Sequence, residues 1–588
     1  MSKSSLSGAA LVAALLSVLC VTPAIGCGAV LGLNDLTDRP PGDGGAGDTA
    51  PNEGGPPLNP DAVGATTASK VDVLLVIDDS ASMSDKAKLL ASSIDLPLRA
   101  AALSGDVHLG VITTSLGSMG GDVCSGGGNS NRLAHLSTLG PGGTPVASAA
   151  KGYLELTKRG SADEDAFIAD ARQLVLGVAE SGCGLEAQLE SAYRFLAQPD
   201  PWASIKLSDK KQAQYVDVDE ELLKQRKAFL RPDSLVVVIM LTDEDDSSAD
   251  PRSMGGQGWA FMNNTFPGSG TFRADGKSTT APRATSACAT SPGSPDCASC
   301  ACNPANAACA AIKNDPECKK NGGFYGGAED QLNVRFHRMK ERYGVDPQFP
   351  LARYVEAFTK VKVPNREGEH AVTTAADGSV TVADYLGKPT CTNPLFAATL
   401  PDPKGNLCDL PVGNRGKELV LFALIGGVPE TLVNGDTPEW TKILGADPGA
   451  FDLSDQDPHM IQSTAPRPGL APPTATRGDN GSDLVHGREW DTGNDDLQFA
   501  CTFLLPTARN CTAQDPSCDC AGTKNPPLCG ATPGNQIKAK GYPTIRELRV
   551  VKELGERGIA GSICPAGGAT YSGTLSRLVQ RISSRVTL

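Results

Sequence analysis

Four short runs decide what this chain can fold into. Val71–Ile77, Val107–Ile112, Leu235–Leu241 and Leu419–Ile425 are apolar almost throughout and rich in β-branched residues. A strand with one wet face alternates apolar and polar residues, whereas a run that is apolar at every position belongs to a strand covered on both faces, as in a parallel sheet. Ile559–Ile563 is a weaker run of the same kind. Helical spacing fills the intervals. Leu185, Leu189, Ala192 and Leu196 stop before Pro199, in a helix that begins near Glu186. Thr544 and Glu547 read as a capping box ahead of Leu548, Val551 and Leu554, and Leu575, Leu578, Val579, Ile582 and Val586 outline a last amphipathic helix. Alternating strands and helices predict an α/β fold: a doubly wound, mainly parallel central sheet flanked by helices, with ligands at the carboxyl ends of the strands.

The rest of the 588 residues is organised around that body. Residues 1–26 read as an export signal, with Lys3, an apolar stretch from Ala9 to Cys20 too short for a confident membrane span, and small residues ahead of Cys27. Ala24-Ile25-Gly26-Cys27 has the form of a lipobox, which makes Cys27 the lipidated first residue of the mature chain; simple secretion is the alternative. The expected place is the cell envelope, outer membrane or periplasm, with the membrane reached only through this N-terminal lipid anchor. Residues 27–70, rich in Gly, Pro, Asp and Ala, predict a flexible tether, and residues 71–588 the folded body. Long irregular insertions are expected at about 250–346 and 430–542. With 53 basic against 67 acidic residues the formal charge is -14, which excludes nucleic acid as the main partner and favours cations or basic partners.

Of 18 cysteines, Cys20 lies in the signal and Cys27 would be acylated, leaving an even number for disulfides. Many of them cluster, at Cys288–Cys318 and Cys501–Cys529. The spacing of Cys297, Cys300 and Cys302 could suit zinc, but none of the six His lies within the clusters, so disulfide-stapled insertions are the better expectation.

Chemistry concentrates at two strand ends. Asp78-Asp79-Ser80-Ala81-Ser82 follows the first run and Thr242-Asp243-Glu244-Asp245-Asp246 follows the third. One carboxylate and two hydroxyls in a turn before a helix, joined by a carboxylate from another strand end, form a hard-oxygen set for Mg²⁺, Ca²⁺ or Mn²⁺. The plainer reading is helix capping by Asp and Ser, with Glu244, Asp245 and Asp246 as a solvated acidic rim.

In these segments the sequence resembles the von Willebrand factor A-type domain and its metal-ion-dependent adhesion site. The resemblance covers about residues 70–250 and implies a six-stranded, mainly parallel sheet with the metal at its carboxyl edge. It implies direct ligation by Ser80 and Ser82, ligation by Asp78 and Asp243 directly or through water, and an acidic partner group completing the shell. The third-loop Thr of that family has no counterpart in Ser181–Glu186, where Glu186 is the secondary candidate, and Glu244 replaces the familiar Gly. Both changes make the site more negative. Cys124, after the Val107 run, and Cys183, before the Leu189 helix, would lie near this edge and are expected to pair. Phe229–Asp233, Leu241–Asp246 and Gly487–Trp490 also resemble exported lipoproteins of the myxobacterial type that carry this domain, a group that implies no activity.

The functional expectation is a cell-envelope lipoprotein that binds a divalent cation and recognises a protein or peptide ligand through the metal edge or the cysteine-rich insertions. It is not read as an enzyme, because it lacks a dedicated base, a Gly-x-Ser-x-Gly elbow and a phosphate loop. A metal-dependent envelope hydrolase and a purely structural, disulfide-stapled surface protein are the alternatives.

Overall fold

The computed structural model describes residues 59–587 except 125–127, 179, 210–211, 257, 264–282, 290–295, 297, 299, 301–308, 327–328, 339–345, 375–379, 436, 448–452, 465–466, 468–495, 513–517, 521–526 and 569. The export signal, Cys27, most of the tether, Cys297, Cys302 and Gly487–Trp490 lie outside the described residues.

In chain order the principal elements are β1 (Val71–Ile77), α1 (Ser84–Ser93), α2 (Asp95–Ala102), β2 (Val107–Thr113), β3 (Leu154–Leu156), α3 (Ser161–Leu176), α4 (Gln188–Leu196), β4 (Trp202–Leu207) and β5 (Ala213–Val218). There follow α5 (Glu220–Phe229), β6 (Leu235–Leu241), α6 (Leu351–Ala357), β7 (His370–Thr374), β8 (Val380–Tyr385), β9 (Val420–Gly426), β10 (Cys501–Asn510), β11 (Asn535–Gly541), α7 (Ile545–Glu553), β12 (Gly558–Ser562) and α8 (Ser572–Ser583). Six strands make one sheet in the order β12-β9-β6-β1-β2-β3, parallel except for the edge strand β3.

Each apolar run serves two cores. In β1, Leu74 and Val76 face a cluster completed by α4, α5, α6 and α7, while Val71, Val73, Leu75 and Ile77 face one completed by α1, α2, α3 and α8. β2, β6 and β9 alternate in the same way, which is why no polar face interrupts them. The insertion after β6 also reaches the first core, through Phe261 and Met262.

Several expectations are corrected. Residues 59–70 are not free tether: Asp61 sits between Lys360 and Lys417, Ala62 N donates to Thr359 O at 2.8 Å, and Ala65 and Ala68 form bridges with Arg415 and Val586. Two lysines compensating one aspartate, together with these backbone contacts to Thr359, Arg415 and Val586, hold this stretch on the body. Val586 is therefore past the end of α8, which stops at Ser583. The third-loop helix starts at Gln188 and leaves Leu185 and Glu186 in the preceding loop. Thr544 holds the N-cap position of α7 without a side-chain capping bond, and the reciprocal half of the box is missing too, since its N–H donates to Gly427 O and Glu547 faces Asp245. The regions read as irregular also hold the β10–β11 hairpin, and β4–β5 and β7–β8 are further hairpins.

All fourteen described cysteines are disulfide-bonded. The bonds include Cys124–Cys183, Cys300–Cys318, Cys391–Cys408, Cys501–Cys564, Cys511–Cys518 and Cys520–Cys529. Cys501–Cys564 ties the β10–β11 hairpin to the segment after β12.

Candidate functional site

The chain lays β2 and β3 on one side of β1 and β6, β9 and β12 on the other, so strand order reverses between β1 and β6. A crevice opens beyond the carboxyl ends of strands at such a reversal. The register pairs Ile77 with both Thr113 and Leu241, so Asp78, Thr114 and Thr242 leave the sheet at one level.

Asp78 and Asp243 meet there, both fully buried. Asp78 Oδ1 accepts from Ser80 N at 2.8 Å and Oδ2 from Thr242 Oγ1 at 2.7 Å. Burial first, and the Asp243 charge second, push the Asp78 carboxyl up to about 7. Ser82 Oγ donates to Asp243 Oδ2 at 2.7 Å. The same oxygen accepts from Lys86 Nζ at 2.7 Å, and Lys86, 1 % exposed, also donates to Ser82 O at 2.7 Å. Among the described residues Asp243 Oδ1 has no donor. Ser80 Oγ stands close enough to Asp78 to offset its upward shift, yet outside hydrogen-bond geometry, and it too is buried without a partner.

Glu186 reaches the same group from the third loop. It is fully buried, and among the described residues neither carboxylate oxygen has a donor. Its neighbour is the Glu244 carboxyl, near enough to share a proton when one of the two is protonated. Burial, then Glu244, then Asp78 raise Glu186 well above the usual carboxylate range. Glu244 is half-buried by surface area, yet it is packed closely enough for lost solvation to lead its rise to about 7, ahead of Asp243 and Asp78. The structure thus brings Asp78, Ser80, Ser82, Asp243 and Glu186 to one edge.

Asp79 points away and organises the loops. Its Oδ1 accepts from Ser115 Oγ at 2.7 Å, and Ser115 Oγ in turn accepts from Cys183 N at 2.8 Å. Gly182 packs against this pair so closely that a Cβ would lie 2.4 Å from Asp79 Oδ1. The Cys124–Cys183 bond closes the same contact, fixing the loop that carries Glu186.

The acidic run after β6 is not a solvated rim throughout. Asp246 is 2 % exposed, and its Oδ2 accepts from Leu189 N at 3.0 Å in the first turn of α4. Asp245 Oδ1 accepts from Arg546 N at 2.8 Å in the first turn of α7. Two adjacent carboxylates therefore serve two helix N-termini, where unpaired N–H groups and the helix dipole favour negative charge.

The sequence reasoning missed Lys86. The available signal was its place four residues before Leu90 and seven before Ser93, on the buried stripe of α1. Thr242, which holds Asp78 and accepts from Gln188 Nε2 at 2.9 Å, was also missed.

Hard oxygens without donors are the atoms a divalent cation would take, and the residues fit one: Ser80 Oγ, Asp243 Oδ1 and a Glu186 oxygen, with Asp78 and Ser82 beside them. Among the described residues no three His, Cys, Asp or Glu side chains are preset around one point as a metal centre. Ser80 N and Thr242 Oγ1 hold the two Asp78 oxygens, and Lys86 and Ser82 hold Asp243 Oδ2. Compared with protein-family models, curated proteins and solved structures, the chain has no match.

Proposed function

We propose that this is an exported, lipid-anchored envelope protein with a von Willebrand factor A-like body, binding Mg²⁺, Ca²⁺ or Mn²⁺ at the carboxyl edge and recognising a protein or peptide ligand there. The observation that carries the reading is the set of buried, donorless oxygens on Ser80, Asp243 and Glu186 at the strand-order reversal. Leaving such atoms buried and unpaired costs about 1–3 kcal/mol each, more for a charged group, and a bound cation removes that cost. The strand order with its single antiparallel edge strand supports the family resemblance. The disulfides support an oxidising location, and acylation at Cys27 supplies the anchor in this reading. No catalytic role is included.

A second reading rests on Lys86, whose ammonium already neutralises part of Asp243, so that the edge works as a metal-free buried network. Calorimetric titration of Mg²⁺, Ca²⁺ and Mn²⁺ into chelator-treated, disulfide-intact protein separates the two. Saturable binding that disappears in Asp78→Ala/Asp243→Ala supports the metal site. No heat from any of the three ions leaves the Lys86 network as the account of this edge.

A further inference from the structure

A small cleft opens beside the buried acids. It has a volume of about 210 Å³ and runs between the third loop, the segment after β6 and both insertions. Pockets that hold a drug-sized molecule measure roughly 300–1,000 Å³, so this one matches a single side chain. Leu185, Phe336, Leu497 and Tyr542, each under 10 % exposed, give it apolar walls.

Its charge is one-sided. Glu244, Asp245, Asp246 and Asp496 line it, against Lys540 and His337. Most of these are engaged: Asp245 accepts from Arg546 N and Gln462 Nε2, Asp246 from Leu189 N and Ser248, and Asp496 from Tyr542 OH, while Lys540 pairs with Asp519 at 2.9 Å. Glu244 differs. Among the described residues no Lys or Arg side chain pairs directly with its carboxylate: Asp243, Asp78 and Glu186 crowd it, Lys540 on the same wall offsets only part of its charge, and behind it Glu186 is fully buried with both oxygens lacking a donor. Apolar walls around an under-compensated carboxylate are complementary to an alkyl stem ending in a cation.

We infer that this cleft receives a lysine or arginine side chain of the partner, with the stem between Leu185, Phe336, Leu497 and Tyr542 and the charged end on Glu244. The inference deepens the proposed recognition function and rests on it. It replaces the acidic partner group implied by the family resemblance with a basic one, in keeping with the -14 formal charge of the chain.

The test titrates Nα-acetyl-lysine methylamide, Nα-acetyl-arginine methylamide and Nα-acetyl-glutamate methylamide into the full chain, in chelator, followed by calorimetry. Saturable binding of a basic probe and none of the acidic one is expected, weakened more than tenfold by Glu244→Gln. The inference is overturned if neither basic probe binds, if Glu244→Gln binds them as wild type does, or if the acidic probe binds instead. The wild-type comparison of basic with acidic probes stands without any variant. The metal reading fails separately: Mg²⁺ binding without probe binding sinks only the cleft, and probe binding without metal binding sinks only the metal site.

Discussion

The two edges of one sheet treat buried charge in opposite ways. At the amino edge the fully buried Asp72 accepts from Arg231 N and Nε at 2.8 Å each and from Ser234 Oγ at 2.5 Å. Arg415 closes the group by donating to Ser234 O at 2.9 Å and Ser234 Oγ at 2.8 Å, and to Arg231 O and Leu395 O. At the carboxyl edge Asp78, Asp243, Glu186 and Glu244 crowd together, and among the described residues the one ammonium hydrogen-bonded to any of these four acids, Lys86, reaches Asp243. Complete pairing leaves no desolvation cost unmet, whereas buried oxygens without donors carry a cost that a bound cation would remove in the proposed reading.

The largest effect that would sharpen this contrast is Asp72→Ala. Removing one partner from a buried network is expected to cost about 3–5 kcal/mol, read by chemical denaturation, and to leave cation affinity within about twofold of wild type. Equal loss of affinity would merge the two edges into one functional unit. Gly182→Ala acts on the other edge. Its Cβ would meet Asp79 Oδ1 and Ser115 Oγ, so the loop carrying Glu186 must shift. A loss of about 1–3 kcal/mol is expected, together with weaker cation binding by calorimetry.

The smallest effect is one of pH. Asp78 and Glu244 are raised to about 7 from 3.8 and 4.5, so between roughly pH 4 and pH 7 the folded protein binds more protons than the unfolded chain. Their contribution is fully present at the acid end of that window and is lost as pH rises toward 7. In chelator, thermal stability should therefore fall as pH rises from 5 to 7.5. Asp78→Asn or saturating Mg²⁺ should flatten that part of the slope. An unchanged slope in both would break the contrast.

Much of the sheet was legible because its signal is local. β1 and β6 begin and end at the residues expected, since every position in them is covered by helices on both faces. β9 starts at Val420 because Leu419 still belongs to a 3-10 turn, a difference apolarity cannot show. The hairpin strands β4 and β5 are half-exposed and carry polar residues such as Lys206 and Gln214, so they resemble loop in a search for buried runs. Asp78, Ser80, Ser82 and Asp243 could be placed because each follows a strand end. Lys86 could not, because a lysine in a helix is ordinarily solvated and only the tertiary meeting with Asp243 buries it. The Cys501–Cys564 link spans 63 residues, and spacing alone cannot choose such a pairing.

The bridge between Ala68 and Val586 lies at the amino edge, where the chain enters β1, while the candidate site lies past its carboxyl end. A pull between a ligand held at that site and the N-terminal segment would run along β1. Its hydrogen bonds to β2 and β6 lie across the strand direction on both sides, so such a load would shear two seven-residue ladders at once rather than peel them bond by bond. For a tethered protein, that geometry would make the body a strong link under tension.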